Sequence, residues 1–260
     1  MNIFDFSGKV AAVTGGGSGI GKEISLVFAQ QGATVFVLDF NDINGNGTVE
    51  EIKAAGGQAQ FLPCDVSDQA GVEQVFEAIH QQAQQLDILV NNAGIAHVGN
   101  IEGTSAADLD RLYAVNIKGV YNCTKAAIPY MKQQQQGAIL NLASVASCVG
   151  IKDRFAYSMT KGAVLTMTYS IAKDYLDYNI RCNSVAPGRV HTPFVDGFLR
   201  DNYPGKEQEM FEKLSKTQPI GRMGKPREIA HLVLFLCSDE AGFITGCNYP
   251  IDGGFITLNN

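Results

Sequence analysis

Three tyrosines in this chain are each followed four residues later by a lysine, forming the pairs Tyr121 and Lys125, Tyr157 and Lys161, and Tyr169 and Lys173. Residues four apart lie on one face of a helix, so each pair could set an ammonium beside a phenol. A phenol has an ordinary pKa near 10, and ionising it at neutral pH requires about 4 kcal/mol of preferential stabilisation of the phenolate. Such a pair predicts a general acid or base, and at least two of the three pairs must have another role.

A serine distinguishes one of these pairs from the others. Ser144 stands 13 residues before Tyr157 and closes the apolar stretch AILNLAS, whereas Asp and Ala hold the equivalent positions before the other two tyrosines. The C-terminal ends of strands are where α/β sheets bind their ligands. Twelve residues on a helix turn through about 1200°, which leaves Tyr157 and Tyr169 about 120° apart and facing different surroundings. We therefore identify Tyr157 and Lys161 as the reactive pair.

Glycines follow the first predicted strand in the stretch TGGGSGIGKEI, where Gly15, Gly19 and Gly21 have the spacing Gly-x-x-x-Gly-x-Gly. Residues without a Cβ let the chain turn tightly and let its backbone approach a pyrophosphate at the N-terminus of the next helix. Asp39 ends the second strand 18 residues after Gly21, where a carboxylate can bind an adenosine ribose and repel a 2′-phosphate. No Arg or Lys follows Asp39 until Lys53. The pattern predicts a dinucleotide site that prefers NAD to NADP.

The elements that must position these residues alternate between short β-branched stretches and longer segments of helical periodicity. This alternation is typical of βαβ units on a parallel sheet with helices on both faces. The predicted strands are residues 10–14, 34–38, 60–63, 88–91, 138–142, 181–185 and 248–251. The predicted helices are residues 20–31, 46–55, 69–85, 105–132, 154–177 and 226–237, with one short helix near 206–216. We expect one domain over residues 1–260, with a polar lid within residues 187–225.

Composition and charge argue against several classes of protein. The net charge is -6 and the isoelectric point is near 5.2, without a dense run of Lys or Arg, which argues against nucleic-acid binding. The sequence shows neither a secretion signal nor an apolar stretch long enough to span a membrane, so a cytoplasmic protein without a membrane partner is expected. The six cysteines form no Cys/His cluster and predict neither disulfides nor a metal site. A small-molecule substrate is the expected partner.

Five ordered motifs resemble those of the short-chain dehydrogenase/reductase family over essentially the whole chain. They are TGGGSGIG, the NNAG of residues 91–94, the set Asn116, Ser144, Tyr157 and Lys161, the pair Pro187 and Gly188, and Thr192. The resemblance implies a Rossmann-type doubly wound sheet of seven parallel strands, and NAD-linked interconversion of a secondary alcohol and a ketone. It implies that Tyr157 is the general acid/base and Ser144 binds the substrate oxygen. Lys161 would lower the pKa of Tyr157 and hold the nicotinamide ribose, and Asn116 would anchor a water that relays protons.

The same resemblance implies which residues contact NAD. Besides Gly15, Gly19, Gly21, Asp39, Tyr157 and Lys161, they are Ser18, Ile20, Asp65, Val66, Asn92, Ala93, Gly94, Pro187, Gly188, Val190 and Thr192. Asp65 is expected to face the adenine, and Thr192 the nicotinamide amide. The resemblance also implies a homotetramer, with residues 105–132, residues 154–177 and the last strand at its interfaces. Tyr121 and Tyr169 are then assigned to packing or to an interface.

Residues beside the catalytic set are expected to contact the substrate, namely Ile95, His97, Ser144, Val145, Arg154 and Arg189. Arg154 stands about one helical turn before Tyr157, where a guanidinium could bind a carboxylate bidentately. The alternative is that Arg154 and Arg189 lie at the rim of the substrate pocket, either exposed to solvent or in ion pairs at a subunit interface. The stretch GIKDRFAYSMTKGAV is similar to the branch with cytosolic-type 3-hydroxybutyrate and 2-keto-3-deoxy-L-fuconate dehydrogenases, which favours a hydroxy acid or a deoxy sugar acid.

Three other functions compete with this interpretation. A 3-oxoacyl-carrier-protein reductase usually goes with NADPH and a basic docking surface, which neither Asp39 nor the acidic chain favours. A neutral sugar dehydrogenase would use the same catalytic residues without a carboxylate pocket. A non-catalytic NAD-sensing protein could share the fold, since a fold does not determine a function, but the intact Asn, Ser, Tyr and Lys set argues against it.

Overall fold

Seven parallel strands form one sheet in the computed structural model, which describes residues 4–258. The strands are β1 (Val10–Thr14), β2 (Thr34–Asp39), β3 (Gln58–Pro63), β4 (Ile88–Asn91), β5 (Gly137–Leu142), β6 (Ile180–Pro187) and β7 (Asn248–Ile251). Their order is β3-β2-β1-β4-β5-β6-β7, and every neighbouring pair is parallel. The predicted doubly wound sheet is confirmed. The predicted domain limits at residues 1 and 260 lie outside the described residues.

Helices cover both faces of the sheet. They are α1 (Gly19–Gln30), α2 (Asp42–Ala54), α3 (Gln69–Ala83), α4 (Ala106–Leu112), α5 (Gly119–Gln134), α6 (Phe155–Asp174), α7 (Pro193–Asn202), α8 (Glu207–Ser215) and α9 (Pro226–Cys237). Short 3₁₀ turns span Val145–Ser147, Leu176–Tyr178 and Asp239–Ala241. From residue 4 to residue 258, no helix is long and apolar enough to cross a membrane.

The five inner strands β1, β2, β4, β5 and β6 bury apolar side chains on both faces, as parallel strands between two helical layers do. On one face, Val13 of β1 packs in a cluster with Phe28 of α1 and Val233 of α9. On the other face, Leu89 of β4 packs in a cluster with Phe76 of α3. Because helices cover both faces, the carboxyl edge of the sheet is where loops can form a ligand site.

The segment predicted as a lid contains two helices, α7 and α8, where the sequence predicts only one near residues 206–216. α7 follows Thr192 and has Pro193 at its first position, a usual start for a helix. The spacing of Phe194, Phe198 and the buried Leu199 is the apolar signal that the Pro and Gly content of this stretch concealed. The helix predicted near residues 206–216 corresponds to α8, and α7 was not predicted.

The long helices predicted for residues 105–132 and 154–177 are also not continuous. Between α4 and α5, residues Tyr113–Lys118 form a π-helical segment that contains the buried Asn116. π segments widen a helix by one residue per turn and often occur at functional sites. α6 ends at Asp174 and is followed by the 3₁₀ turn. Periodicity alone did not predict either interruption, because both preserve a nearly helical spacing of apolar residues.

Candidate active site

The carboxyl ends of β1 and β4 meet at the point where the strand order reverses, which is where open α/β sheets bind their ligands. The hydroxyl of Thr14 accepts hydrogen bonds from the backbone N–H groups of Asn92 and Ala93, both at 3.0 Å. The side-chain amide of Asn92 donates to the carbonyls of Thr14 at 2.9 Å and Gly15 at 3.1 Å. The loops after β1 and β4 are therefore tied into one surface.

The turn between β1 and α1 leaves almost no room for side chains. Gly15 has a φ of +62°, and a Cβ there would lie 2.9 Å from Nδ2 of Asn92. A Cβ on Gly21 would overlap the carbonyl oxygen of Gly15. A Cβ on Gly19 would lie 3.4 Å from Cγ2 of Thr192. This bare turn at the N-terminus of α1 fits the diphosphate of a nicotinamide dinucleotide, which the N–H groups and the helix dipole would bind.

Asp39, at the end of β2, lies beside this turn. Its Oδ2 accepts a hydrogen bond from the N–H of Gly17 at 2.8 Å, and its Oδ1 accepts one from the N–H of Asn41 at 2.9 Å. Each oxygen retains a lone pair for another donor, so a ribose hydroxyl could still bind. Gly17 is a residue that sequence reasoning missed. Its position inside the glycine run was the available signal.

Several carboxylates lie close together at this end of the sheet. Burial, together with the negative charges of Asp65, Asp68 and Asp39, raises the pKa of the Cys64 thiol to about 12. The Oδ1 of Asp65 accepts from the N–H and hydroxyl of Ser67 at 2.9 and 2.7 Å. The charges of Asp65, Asp68 and Asp39 therefore all act on the Cys64 thiol at this end of the sheet.

The other residues predicted to contact the cofactor lie along the same edge. They are Ser18 and Ile20 at the start of α1, Val66 after β3, Gly94 after β4, Pro187 at the end of β6, and Gly188, Val190 and Thr192 before α7. The carbonyl of Val66 accepts from Nδ2 of Asn122 at 2.8 Å, and the N–H of Gly188 donates to the carbonyl of Ile251 at 3.0 Å. Within the described residues, no three His, Cys, Asp or Glu side chains are grouped as a metal site requires.

Ser144, Tyr157 and Lys161 converge beside the end of β5. Ser144 follows the strand, and Tyr157 lies in the first turn of α6 within hydrogen-bonding reach of it. Lys161 is only 7% exposed, and its ammonium donates to the carbonyl of Leu142 at 2.6 Å. Its Nζ lies 5.9 Å from the centroid of the Tyr157 ring. The fold thus brings together the three residues that the sequence selected.

Burial and two neighbouring groups shift the pKa of Tyr157. Burial raises this pKa, whereas the hydrogen bond with Ser144 and the positive charge of Arg154 lower it. The predicted role of Lys161 in lowering this pKa stays a prediction. Burial lowers the pKa of Lys161 itself to about 8, and the Leu142 carbonyl holds its ammonium. Tyr157 is therefore a neutral phenol near pH 7 in the protein without ligand, able to donate a proton.

Asn116 joins the loop after β4 to α6. Its Nδ2 donates to the carbonyl of Ile95 at 2.9 Å and to the hydroxyl of Thr160 at 3.0 Å, and its Oδ1 accepts from the N–H of Ile95 at 2.8 Å. A Cβ on Gly94 would lie 3.3 Å from that Oδ1 and 3.6 Å from Nζ of Lys161. Asn116 therefore positions the chain next to Lys161. Its predicted role in a proton relay stays a prediction.

A cavity of about 240 Å³ has Arg154, whose charge acts on Tyr157, in its lining. Its lining residues are Ala96, His97, Val98, Arg154, Arg189, Phe194, Val195 and Phe198. It brings together three of the predicted substrate residues, His97, Arg154 and Arg189. Ile95, Ser144 and Val145 do not line it. Ile95 is bonded to Asn116, the hydroxyl of Ser144 accepts from the N–H of Ala146, and Val145 is buried in a 3₁₀ turn. Sequence reasoning missed the residues of α7 because it did not predict that helix.

The cavity is positively charged. Burial lowers the pKa of Arg189 and the nearby charge of Arg154 lowers it further, so the two guanidiniums are close. No acidic side chain is among the lining residues that the structure describes. Nε of Arg189 and Nε2 of His97 are buried and find no hydrogen-bond partner in the described chain. Unpaired donors and neighbouring cations of this kind are stabilised by an anion, so the cavity suits an anionic ligand.

We expect Lys161→Met to stabilise the ligand-free protein at pH 7. The pKa of Lys161 is about 8 in the fold against an ordinary 10.5, so burying its charge costs stability below pH 8. That cost falls as the pH rises through 8 and vanishes above 10.5, because the native lysine loses its proton first. Removing it is expected to raise the free energy of unfolding by about 1 to 3 kcal/mol at pH 7. Urea denaturation at pH 7 and 9.5 measures the gain, which should shrink at the higher pH.

The matched control is Lys173→Met, which removes an exposed lysine from the same Tyr-x-x-x-Lys spacing on α6. We expect it to change the free energy of unfolding by less than about 0.5 kcal/mol. A Lys161→Met variant less stable than the wild type at pH 7 would mean that the hydrogen bond to Leu142 outweighs the cost of burying the charge.

Comparison with known proteins extends over nearly the whole chain. Residues 15–256 match the protein family described as enoyl-(acyl carrier protein) reductase. The chain is 44% identical over 251 residues to an uncharacterised oxidoreductase of Thermotoga maritima, covering 96% of this chain and 98% of that protein. It is 39% identical over 249 residues to a 3-oxoacyl-(acyl-carrier-protein) reductase of the same organism, covering 96% and 98%.

Two further matches have the same extent. A cyclopentanol dehydrogenase of Comamonas sp. is 37% identical over 247 residues, covering 95% of this chain and 96% of that protein. A crystal structure described as a short-chain dehydrogenase/reductase from Burkholderia xenovorans superposes with a TM-score of 0.92 at 35% identity, covering 96% of this chain and 97% of that one. The similarity therefore includes the sheet, the glycine turn and the helix that carries Tyr157.

Proposed function

Because the chain belongs to the short-chain dehydrogenase/reductase family of oxidoreductases, we propose that it uses NAD to interconvert a secondary alcohol and a ketone on a small carboxylate-bearing substrate. The proposed substrate classes are hydroxy acids and deoxy sugar acids such as 2-keto-3-deoxy-L-fuconate. The observation that carries this proposal is the pair of neighbouring guanidiniums, Arg154 and Arg189, in a cavity without acidic lining residues. Arg154 precedes Tyr157 by three residues, which links that cavity to the catalytic group.

In the proposed mechanism, Tyr157 and Ser144 bind the reacting oxygen. NAD, when bound, supplies the acceptor or donor of the hydride. Tyr157 takes the hydroxyl proton during oxidation and returns it during reduction. Because burial raises the pKa of Tyr157, its phenolate needs the hydrogen bond from Ser144 and the nearby positive charge of Arg154. Lys161, held by the carbonyl of Leu142, adds a second cation beside the ring.

The preference for NAD rests on Asp39 and its neighbours. The Asp39 carboxylate is held at the end of β2 by the N–H groups of Gly17 and Asn41, beside the turn that fits the diphosphate. Asp65 and Asp68 act with Asp39 on the thiol of Cys64, whose N–H donates to the carbonyl of Asp39 at 3.0 Å. A 2′-phosphate there would meet repulsion, whereas ribose hydroxyls would find acceptors.

The experiment that tests the carboxylate pocket is Arg154→Gln, assayed by NADH formation on hydroxy acids and on their neutral amides. We expect kcat/KM for the acids to fall by about 10- to 100-fold, mainly through KM, because a hydrogen bond to a charged group is lost. The amides should lose little when both enzymes are assayed at a pH where the rate no longer rises with pH, because the effect of Arg154 on the pKa of Tyr157 is then removed from the comparison. Arg154→Lys should restore part of the activity by keeping the charge without the bidentate geometry.

Arg200→Gln on α7 is the matched control, since Arg200 is 74% exposed and does not line the cavity. It should leave both classes of substrate unaffected. Equal losses on acids and amides in Arg154→Gln would show that Arg154 acts on Tyr157 rather than on a carboxylate, and the substrate proposal would fall.

A second candidate function is reduction of 3-oxoacyl groups on a carrier protein. The observation in its favour is the 39% identity to the Thermotoga maritima 3-oxoacyl-(acyl-carrier-protein) reductase. NADPH-linked reduction of a carrier-bound 3-oxoacyl group that exceeds turnover of free acids would establish it. The net charge of -6 and the carboxylates around Asp39 favour the first proposal. Turnover limited to neutral alcohols would favour a third, neutral-substrate enzyme.

We also propose a cytoplasmic homotetramer whose interfaces include α5, α6 and β7. Tyr121 on α5 is 47% exposed and Tyr169 on α6 is 45% exposed in the single chain, which fits an interface better than packing within the chain. Met159 on α6 is also exposed. α7 and α8 form the proposed lid of the cavity. Light scattering with size exclusion measures the assembly.

A further inference from the structure

The lining of the substrate cavity is mostly apolar apart from its cations. Its apolar members come from the loop after β4 and from α7, and they are Ala96, Val98, Phe194, Val195 and Phe198. The polar members are His97, Arg154 and Arg189. Among the lining residues that the structure describes, no side chain carries a hydroxyl, an amide or a carboxylate. The cavity therefore offers donors to one anionic group and apolar contact to the remainder of a ligand.

A carboxylate pocket alone does not distinguish hydroxy acids from deoxy sugar acids, but the composition of the lining does. A polyhydroxylated acid would bury several hydroxyls that need acceptors as well as donors. The guanidiniums of Arg154 and Arg189 only donate. His97 has a single buried nitrogen without a partner, since its Nδ1 lies 3.8 Å from Oδ1 of Asp108. A buried hydroxyl without a partner lowers affinity, whereas an alkyl chain needs none.

Phe194 adds an independent observation. It lies at the start of α7, lines the cavity and is nevertheless 62% exposed in the protein without ligand. An exposed phenyl at the rim of a cavity gains free energy when an apolar ligand covers it. The ring of Phe198, one turn later, packs against Tyr203 with centroids 5.9 Å apart, so it fixes the end of α7 as well as lining the cavity.

We propose that the substrate is a short-chain hydroxy or oxo acid with an alkyl body, rather than a polyhydroxylated sugar acid; this inference rests on the proposed function. Arg154 and Arg189 hold the carboxylate, and Phe194, Val195 and Phe198 cover the chain. The cavity of about 240 Å³ is small beside the range of about 300 to 1,000 Å³ usual for ligand sites, which suits a short chain. In oxidation, the Tyr157 phenolate would take the hydroxyl proton, and NAD⁺, when bound, would accept the hydride from the carbinol carbon, which leaves the oxo acid.

The test compares alkyl acids of four to six carbon atoms with one another, and the six-carbon alkyl acid with a sugar acid of the same length. NADH formation is measured on 3-hydroxybutyrate, 3-hydroxypentanoate, 3-hydroxyhexanoate, a six-carbon 3-deoxy sugar acid, and the amide of each. We expect the six-carbon alkyl acid to exceed the sugar acid by about 10- to 100-fold in kcat/KM. Each methylene added from four to six carbons should raise kcat/KM by about fourfold.

A variant of the apolar wall separates its effect from that of the arginines. Phe194→Gln should lower kcat/KM for 3-hydroxyhexanoate by about 5- to 10-fold through KM, and should change the sugar acid much less. Because Phe194 is largely exposed, the variant should fold normally, and thermal unfolding with NAD titration checks this. Phe243→Gln is the matched control, because Phe243 is fully exposed and does not line the cavity.

The outcomes distinguish this inference from the proposed function. Equal kcat/KM for the sugar acid and its alkyl counterpart would contradict the inference of an alkyl substrate. It would not contradict the proposed carboxylate pocket. A higher kcat/KM for the amides than for the acids would contradict both the alkyl acid substrate and the carboxylate pocket. If none of these compounds is turned over, calorimetry of hexanoate and gluconate binding to the NAD complex decides: tighter hexanoate supports the alkyl body, and equal or weaker hexanoate contradicts it.

Discussion

Replacing Tyr157 by Phe is expected to lower kcat by about a thousandfold, because the site loses the group that exchanges a proton with the substrate oxygen. Lys161, Ser144 and the glycine turn remain, so NAD affinity should change less than about threefold. Stopped-flow measurement of NADH formation and fluorescence titration of NADH binding give the two quantities separately. The split between lost turnover and kept binding is the signature of a catalytic tyrosine.

The chain provides its own controls for this substitution. Tyr121→Phe and Tyr169→Phe each remove the phenol from a tyrosine with a lysine four residues later, but both side chains are nearly half exposed. Both variants should retain the wild-type kcat. A non-catalytic NAD-sensing protein would show no loss in Tyr157→Phe either, and that result would falsify the proposed enzyme.

The pH dependence follows from the same geometry. Burial raises the pKa of Tyr157, and the charge of Arg154 opposes that effect. Oxidation needs the deprotonated phenolate, so its rate should rise with pH until Tyr157 has lost its proton in the ternary complex. Arg154→Gln removes a positive charge and should move that rise to higher pH, besides weakening acid binding.

Asp39→Ala is expected to lower kcat/KM for NAD by about 10- to 100-fold, because the ribose loses a charged acceptor. The same change should raise kcat/KM for NADP, since a carboxylate no longer repels the 2′-phosphate. Initial rates across both cofactors at a fixed substrate concentration measure the ratio. Asp65 and Asp68 remain negative, so the variant should approach equal use of the two cofactors rather than a strong NADP preference.

Two further variants separate the effect of the Asp39 charge from the effect of its hydrogen bonds. Asp39→Asn keeps an acceptor for the N–H groups of Gly17 and Asn41 and removes the charge, so it should gain NADP activity with a smaller loss of NAD activity. Asp42→Ala, at the first position of α2, removes a nearby exposed carboxylate and should change neither cofactor. An unchanged NADP rate in both Asp39 variants would mean that other groups set the cofactor preference.

The site combines several features that cost stability. Lys161 is buried with its pKa lowered, and Arg154 and Arg189 are neighbouring cations, one of them with an unpaired buried Nε. Functional sites often break the rules that stabilise the rest of a fold. Stability and function therefore oppose each other at this site. Lys161→Met should raise the free energy of unfolding, and Arg154→Gln should lower the turnover of acids, so both sides can be measured.

The sequence by itself determined the alternation of strands and helices outside α7 and the π-helical segment, the bare turn after β1, the acidic end of β2 and the identity of the Ser144, Tyr157 and Lys161 group. These features depend on local periodicity and on fixed spacing along the chain. A parallel βαβ sheet must collect the carboxyl ends of its strands on one edge. Residues at those ends could therefore be assigned to one site without coordinates.

Only the tertiary structure decided the π-helical segment around Asn116, the helix α7 and the direction of the Tyr157 pKa shift. It also decided that His97, Arg154 and Arg189 share one cavity with Phe194, whereas Ile95 and Val145 lie outside it. These residues come from three segments separated by tens of positions, so no local pattern relates them. A pKa depends on burial and on charges near in space, and neither can be calculated from spacing along the chain.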